Sequence, residues 1–238
     1  MTNGPAISIV MPAYNEADVL EQSVTAVVEA MRERDDSFEL LVVENGSADG
    51  TRAIGERLSL EFEEVSLIAL DAPDYGRALR AGLLGAKGDI VVNFDVDYYD
   101  VDFVDRARKM MDVPDGPVVV VGSKRGEGAN DTRPWSRRLV TYSFSTILKV
   151  AFGLHVSDTH GIKTIRREAL RPLAELCRFG TDLFDTELIL RAERAGMLTA
   201  ETPVVVTELR PSRSSIISRI PRSLLGLARL RVALWREL

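Results

Sequence analysis

Short apolar segments alternate with helical patterns over the first 125 residues of the chain. Runs rich in aliphatic and β-branched residues predict five strands: "AISIV" at 6–10, "FELLVVE" at 38–44, "VSLIAL" at 65–70, "DIVVNF" at 89–94 and "VVVVGS" at 118–123. Between the first two predicted strands, the pattern predicts a helix with these apolar residues on one face: Val19, Leu20, Val24, Val27, Val28 and Met31. Continuous apolar strands separated by helices predict an α/β fold with a mostly parallel sheet that is covered by helices on both faces.

Beyond residue 126 this alternation weakens. We predict helices in "WSRRLVTYSFSTILKVAFG" and "DLFDTELILRAERAG", a short strand turning into a helix in "GIKTIRREALRPLAEL", and an antiparallel edge strand in "TPVVVTELR". The chain shows no internal repeat at solenoid spacing. We therefore expect one α/β domain over residues 1–210, followed by a basic amphipathic C-terminal helix within a tail over 211–238.

Composition and charge narrow the class of protein. Of 238 residues, 45% are hydrophobic and 28% charged, which is ordinary for a soluble globular protein. The net charge of −6 argues against nonspecific nucleic-acid binding as the main task. The single cysteine, Cys177, excludes an internal disulfide. We find neither a secretory signal nor a membrane-spanning segment, and predict a cytoplasmic location.

The C-terminal tail has a different charge from the rest of the chain. From Leu209 to Leu238 it carries seven arginines and one acid, Glu237. Its apolar positions are Leu224, Leu227, Leu230 and Leu234, and its basic positions include Arg222, Arg229 and Arg236. Such a helix suits peripheral contact with the anionic inner face of a cell membrane. The alternatives are a helix that packs on the domain or pairs in a dimer.

Polar and glycine-rich segments follow each of the five predicted strands: "PAYNE", "ENGSADGT", "DAPDYG", "DVD" and "KRGEGAND". In open α/β sheets, ligands bind beyond the carboxyl ends of the strands. The candidate binding site therefore lies where these segments meet.

The segment "VVNFDVDYYDVDF" places several carboxylates directly after a buried strand. Asp95 and Asp97 are separated by one residue, so both side chains can approach the same point. Proteins hold Mg²⁺ or Mn²⁺ with one or two carboxylates plus substrate phosphates. The alternative is a solvated acidic turn with Asp100 or Asp102 as the N-cap of the next helix. We favour metal binding for Asp95 and Asp97, and N-capping of the next helix for Asp102.

Six segments fall in the order seen in family 2 glycosyltransferases of GT-A fold: "ISIVMPAYNE", "LLVVENGSADGT", "GRALRAGLLGAKGD", "NFDVD", "GSKR" and "DTHGIKTIRREAL". Over residues 6–213 the chain resembles most the dolichyl-phosphate mannose synthase and polyprenyl-phosphate glycosyltransferase branch. The resemblance implies metal-dependent, inverting transfer of a sugar from a GDP- or UDP-sugar donor to an acceptor. In that branch the acceptor is a polyprenyl phosphate.

The resemblance also implies roles for individual residues. Those expected near the nucleotide donor are Pro12, Ala13, Tyr14, Glu16, Glu44, Asn45, Asp74, Gly76 and Asp95. Asn45 replaces the second acid of the family's usual pair, and a plain turn is the alternative interpretation of its segment. Asp97 corresponds to the principal metal ligand, with Asp95 assisting. Tyr99 stands where the branch often has another polar ligand.

On the acceptor side, the resemblance implies that Arg125, Arg137 and Thr141 contact a phosphate, although surface arginines are the alternative. Asp185 corresponds to the general base that a hydroxyl acceptor requires. A different class of function is a catalytically silent nucleotide-binding subunit on a membrane surface. His155 and His160 fit no common metal-ligand spacing.

Overall fold

The computed structural model of the chain describes residues 4–123, 146–156, 159–204 and 216–235. The strands are β1 (Ile7–Ala13), β2 (Phe38–Asn45), β3 (Val65–Leu70), β4 (Ile90–Asn93), β5 (Val119–Ser123), β6 (Lys163–Arg166) and β7 (Thr199–Pro203). The helices are α1 (Leu20–Arg32), α2 (Thr51–Glu61), α3 (Tyr75–Gly85), α4 (Val101–Met111), α5 (146–152), α6 (Arg167–Leu176), α7 (Phe184–Arg194) and α8 (Ile216–Trp235). A 3₁₀ turn over Thr181–Leu183 precedes α7.

In the described part of the chain, the strands form one sheet of order β3-β2-β1-β4-β6-β5-β7. Six strands share one direction, and β6 runs antiparallel to both β4 and β5. The predicted mostly parallel α/β sheet is confirmed. Strand β6 begins near the edge of the sheet where β5 ends, since Lys163 pairs with Val121. It therefore runs in the opposite direction to β5.

The prediction of an antiparallel edge strand in "TPVVVTELR" was wrong. The edge strand is β7, which begins earlier, at Thr199, and pairs in parallel with β5 through Val119. The reason is that α6 and α7 together return the chain to the edge where β5 begins, so that β7 must run in the same direction as β5. Residues 205–210 of the predicted strand lie outside the described part.

Apolar side chains form a core on each face of the sheet. One core contains residues of α1, α2 and α4, and the other contains residues of α3, α6, α7 and α8. The predicted apolar face of α1 is confirmed, with these residues fully buried: Leu20, Val24, Val27, Val28 and Met31. Side chains of a strand alternate between the two cores: Val92 of β4 lies in the first core and Val91 in the second.

The described side chains of α8 pack against α7 and the turn before it. Leu227, Leu230 and Leu234 are buried, and Arg194 at the end of α7 donates to the Leu234 carbonyl oxygen at 3.2 Å. The opposite face leaves Leu225, Val232 and Trp235 exposed. Within the described residues, no helix combines the length and the apolar character needed to cross a bilayer. Residues 205–215, which include the predicted domain boundary, are outside the described part.

The acidic residues after β4 separate into two groups. Asp100 caps α4, because its Oδ1 accepts from the Phe103 amide at 3.0 Å. The prediction of Asp102 as the cap was wrong, because α4 begins at Val101, two residues before the start that a cap at Asp102 would require. The Asp102 side chain is 82% exposed and, like Asp105, contacts Arg34. Helix capping and ion pairs thus account for these three acids, whereas Asp95 and Asp97 belong to the turn directly after β4.

Candidate functional site

The loops after β1 and β2 are held together at the carboxyl edge of the sheet. The Asn15 amide donates to Ser47 Oγ at 3.0 Å, and the Glu16 amide donates to Thr51 Oγ1 at 2.7 Å. In return, the Ala48 amide donates to Asn15 Oδ1 at 2.9 Å. Asn15 adopts the left-handed conformation (φ 55°), which asparagine tolerates better than most residues. This network holds the two loops in a defined conformation.

The predicted nucleotide-contacting residues of these loops differ in exposure. Tyr14 is 45% exposed, whereas Pro12 and Ala13 are buried at the end of β1. Glu44 is 1% exposed, and its Oε1 accepts from the Ser47 amide at 2.5 Å. Asn45 is 4% exposed. The structure therefore uses the Glu44 carboxylate to hold the turn, and nucleotide contact by these residues stays a prediction.

Asp74 connects three segments of the chain. Its amide donates to Asn45 Oδ1 at 2.8 Å. Its Oδ1 accepts from the Arg77 amide at 3.0 Å, which caps α3, and from the Thr181 amide at 2.6 Å. The N-terminus of α3 is thereby tied both to the end of β2 and to the turn before α7. Donor contact by Asp74 stays a prediction beside this structural role.

Gly76 lies where α3 meets the turn before α7. A Cβ atom at this position would stand 2.7 Å from the Gly180 carbonyl carbon and 2.8 Å from Phe184 Cβ. The missing side chain is therefore explained by close packing within the protein. The predicted approach of Gly76 to a donor is untested.

Asp95 and Asp97 lie in a tight turn that follows β4. The Asp95 amide donates to the Tyr98 carbonyl oxygen at 3.1 Å, and the Tyr98 amide donates to the Asp95 carbonyl oxygen at 3.2 Å. Asp97 lies inside this turn, and both carboxylate residues are half-buried. The structure thus brings the two predicted metal ligands together at the carboxyl edge of the sheet.

Tyr75 contacts this acidic turn from the start of α3. Its hydroxyl donates to Asp95 Oδ1 at 3.0 Å. Burial of the hydroxyl, and then the charges of Asp95 and Asp185, raise the pKa of Tyr75 well above its usual value. Tyr75 is therefore a neutral hydrogen-bond donor to one of the predicted metal ligands.

The donor set fits a hard divalent cation that also binds phosphate. Among the described residues, no group of three or more His, Cys, Asp or Glu side chains could hold a metal ion by itself. Two carboxylates are what Mg²⁺ usually takes from a protein when substrate phosphates supply further oxygens. Burial raises the pKa of Tyr99, and its ring packs near Phe94 at 6.5 Å between centroids. The neutral Tyr99 hydroxyl is a poor replacement for a charged ligand.

Asp185, the candidate general base, lies in a buried ion pair. Its Oδ1 accepts from Lys163 Nζ at 2.9 Å, and the two side chains are 3% and 2% exposed. Lys163 begins β6 and pairs with Asn93 of β4 in the sheet register. Both polar atoms of the Asn93 side-chain amide are buried, and neither has a hydrogen-bond partner of good geometry among the described residues. These three residues help to line a small cavity of about 20 Å³.

Sequence reasoning missed Tyr75, Asn93 and Lys163. Two signals were available. Strand alternation places Asn93 on the same face as Asp95, and Lys163 is a lone charge between Ile162 and Ile165 in a strand pattern. Neither signal identifies the partner, because the partners belong to other elements of the fold.

The predicted acceptor-side arginines and threonine, Arg125, Arg137 and Thr141, are not among the residues that the structure describes. His155 is 81% exposed and contacts Glu193, with 3.2 Å between its Nδ1 and the carboxylate.

The chain matches the model for "Glycosyl transferase family 2" over residues 8–173. Glycosyltransferase AglD of Haloferax volcanii is 29% identical over 245 residues, which cover 99% of this chain but 38% of AglD. A dolichyl-phosphate beta-glucosyltransferase of Trichomonas vaginalis is 27% identical, over 90% of this chain and 69% of that protein. The chain thus spans well under half of the length of AglD.

A solved structure shares the fold. Glucosyl-3-phosphoglycerate synthase from Mycobacterium tuberculosis, in complex with Mn²⁺, UDP-glucose and phosphoglyceric acid, superposes with a TM-score of 0.69 at 22% identity. The match covers 96% of this chain and 80% of the synthase. At this identity, the likeness shows the fold alone.

Proposed function

The chain belongs to glycosyl transferase family 2, and we propose that it transfers a sugar from a nucleoside-diphosphate sugar to a polyprenyl phosphate in one inverting displacement. The donor class is supported by family membership and by the polar carboxyl edge of the sheet. The acceptor class is supported by the name of the Trichomonas relative and by the environment of Asp185.

Asp97 and Asp95 would hold a divalent cation, Mg²⁺ or Mn²⁺, together with oxygens of the donor diphosphate. When bound, such a cation neutralises charge on the departing nucleoside diphosphate. The two carboxylate residues lie in one closed turn at the sheet edge, which supports a shared cation site. Their mutual repulsion gives them a physical reason to bind a cation.

The buried pair of Asp185 and Lys163 carries the acceptor proposal. A hydroxyl acceptor needs a base that removes its proton, whereas a phosphate monoester is already anionic near neutral pH. Asp185 is 3% exposed and its Oδ1 already accepts from Lys163. This arrangement suits a structural counter-ion better than a base that must reach an incoming alcohol. We therefore propose an acceptor that needs no deprotonation.

A matched pair of acceptors tests this proposal. Polyprenyl phosphate and the corresponding free polyprenol differ only in the phosphate, and each is offered with Mn²⁺ and either UDP-glucose or GDP-mannose. We expect sugar transfer to the phosphate at a rate at least about a hundredfold above that to the alcohol, because only the phosphate is already ionised. Radiolabelled product extracted into organic solvent measures both rates. Equal or faster transfer to the polyprenol would contradict the acceptor assignment.

We also propose that the outer face of α8 contacts an anionic membrane. This face exposes Leu225, Val232 and Trp235, and Arg229 is exposed beside them. We expect Trp235→Ser to weaken binding to phosphatidylglycerol vesicles several-fold, because an interfacial Trp is removed. Leu176→Ser is the control, since Leu176 is similarly exposed (57%) but lies on α6. Co-sedimentation measures binding, and an equal loss in both variants would refute a specific role for α8.

A further inference from the structure

The contact between Tyr75 and Asp95 joins a buried polar region to the acidic turn. Tyr75 is the first residue of α3, and its hydroxyl lies 3.0 Å from Asp95 Oδ1. We propose that Tyr75 is a positioning residue that sets the orientation of the Asp95 carboxylate for divalent cation binding. This inference rests on the proposed metal-dependent function.

The orientation of the Tyr75 side chain is determined by the segments that contact the start of α3. Asp74, the preceding residue, accepts from Thr181 at 2.6 Å and donates its amide to Asn45 at 2.8 Å. On the other side, Gly76 packs directly against Gly180 and Phe184. The backbone on both sides of Tyr75 is therefore fixed by contacts with distant parts of the chain. With two side-chain torsions, a tyrosine on such a backbone has little freedom.

The position of Asp95 explains why an oriented donor matters there. Asp95 lies beyond the end of β4, where the sheet no longer holds the chain, and the turn around it rests on two backbone hydrogen bonds with Tyr98. The Tyr75 hydroxyl donates to Asp95 Oδ1 at 3.0 Å. A hydrogen bond from a fixed group to one carboxylate oxygen restricts rotation of the carboxylate and fixes which oxygen the protein engages.

The surroundings of Tyr75 also favour a neutral donor over a charged one. Asn93, the last residue of β4, precedes Asp95 by two residues, and the Lys163–Asp185 pair lies next to Asn93. A lysine or arginine in place of Tyr75 would put a positive charge against Asp95, and that charge would compete with a cation for the carboxylate. A hydroxyl orients the carboxylate without neutralising it.

The test measures Mn²⁺ binding separately from sugar transfer. Free Mn²⁺ is followed by electron paramagnetic resonance during titration of each variant, first with Mn²⁺ alone and then with UDP or GDP present. We expect Tyr75→Phe to raise the Mn²⁺ dissociation constant about tenfold, as is typical when a group that orients a metal ligand is lost. Circular dichroism checks the fold of each variant. An unchanged dissociation constant would overturn the proposal.

A double-mutant cycle distinguishes positioning from general destabilisation. If Tyr75 acts through Asp95, Tyr75→Phe should have no further effect in an Asp95→Asn background. Independent, multiplying losses of affinity would contradict the inference. Replacement of Tyr75 by 4-aminophenylalanine keeps a hydrogen-bond donor at the same place. We expect it to restore the Mn²⁺ affinity to within about threefold of wild type. Failure of this rescue in a folded variant would also count against the positioning role of Tyr75.

Measuring Mn²⁺ affinity and sugar transfer separately distinguishes this inference from the proposed function. Loss of Mn²⁺ affinity in Tyr75→Phe together with transfer to polyprenol would support the positioning role and refute the acceptor assignment. Absence of Mn²⁺ binding by the wild type, with and without nucleotide, would refute the metal-dependent function and the role of Tyr75 together.

Discussion

Asp97→Asn is expected to lower the rate of sugar transfer roughly a thousandfold, equivalent to about 4 kcal/mol of transition-state stabilisation. Asp97 lies within the closed turn at the sheet edge, and the substitution removes a negative charge while keeping the shape of the side chain. A neutral amide binds a hard divalent cation much less tightly than a carboxylate does. Steady-state transfer rates over a range of Mn²⁺ concentrations measure the effect.

Asp102→Asn is the matched control for this prediction. Asp102 belongs to the same acidic segment, but its side chain is 82% exposed and contacts Arg34. We expect its transfer rate and thermal stability to stay close to wild type, since exposed ion pairs contribute little. Full transfer by Asp97→Asn that is also insensitive to a chelator would refute the metal mechanism.

Lys163→Met is expected to destabilise the protein by about 3–5 kcal/mol, because it leaves the Asp185 carboxylate buried without its partner. Lys163 and Asp185 are 2% and 3% exposed, and their charged atoms are 2.9 Å apart. A loss of this size is a large part of the stability of a typical domain. For a chain of this length it corresponds to a midpoint lower by roughly 6–20 °C, which thermal unfolding by calorimetry would measure.

Two further variants make the cause of that loss identifiable. Lys87→Met removes a lysine whose side chain is 74% exposed, and we expect a change within about 0.5 kcal/mol. Lys163→Met combined with Asp185→Leu removes both buried charges, and the neighbouring cavity of about 20 Å³ gives the larger side chain some room. We expect this double variant to recover most of the lost stability. Equal destabilisation by the single and double variants would show that the charges are not the cause.

The double variant also bears on the role of Asp185 in the reaction. If Asp185 is a counter-ion of Lys163, a folded double variant should keep measurable transfer to polyprenyl phosphate. If it is a base, transfer to any hydroxyl acceptor should disappear.

Much of this fold could be predicted from local patterns. The first five strands and the buried face of α1 follow from hydrophobic periodicity, because burial on one or both faces of an element repeats at short intervals along the chain. The placement of Asp95 and Asp97 at the ligand edge follows from parallel strand topology. Predictions were less accurate at the ends of elements. Asp100 caps α4, and the choice between Asp100 and Asp102 depends on the residue at which the helix begins.

The sequence by itself determined the α/β class, the edge of the sheet that collects polar residues, the acidic pair at that edge and the resemblance to family 2 glycosyltransferases. Only the tertiary structure decided the antiparallel insertion of β6, the partner of Asp185 and the donor to Asp95. Tyr75 precedes Asp95 by 20 residues, and Lys163 precedes Asp185 by 22. Such contacts depend on strand register and helix packing, which join elements that no local pattern relates.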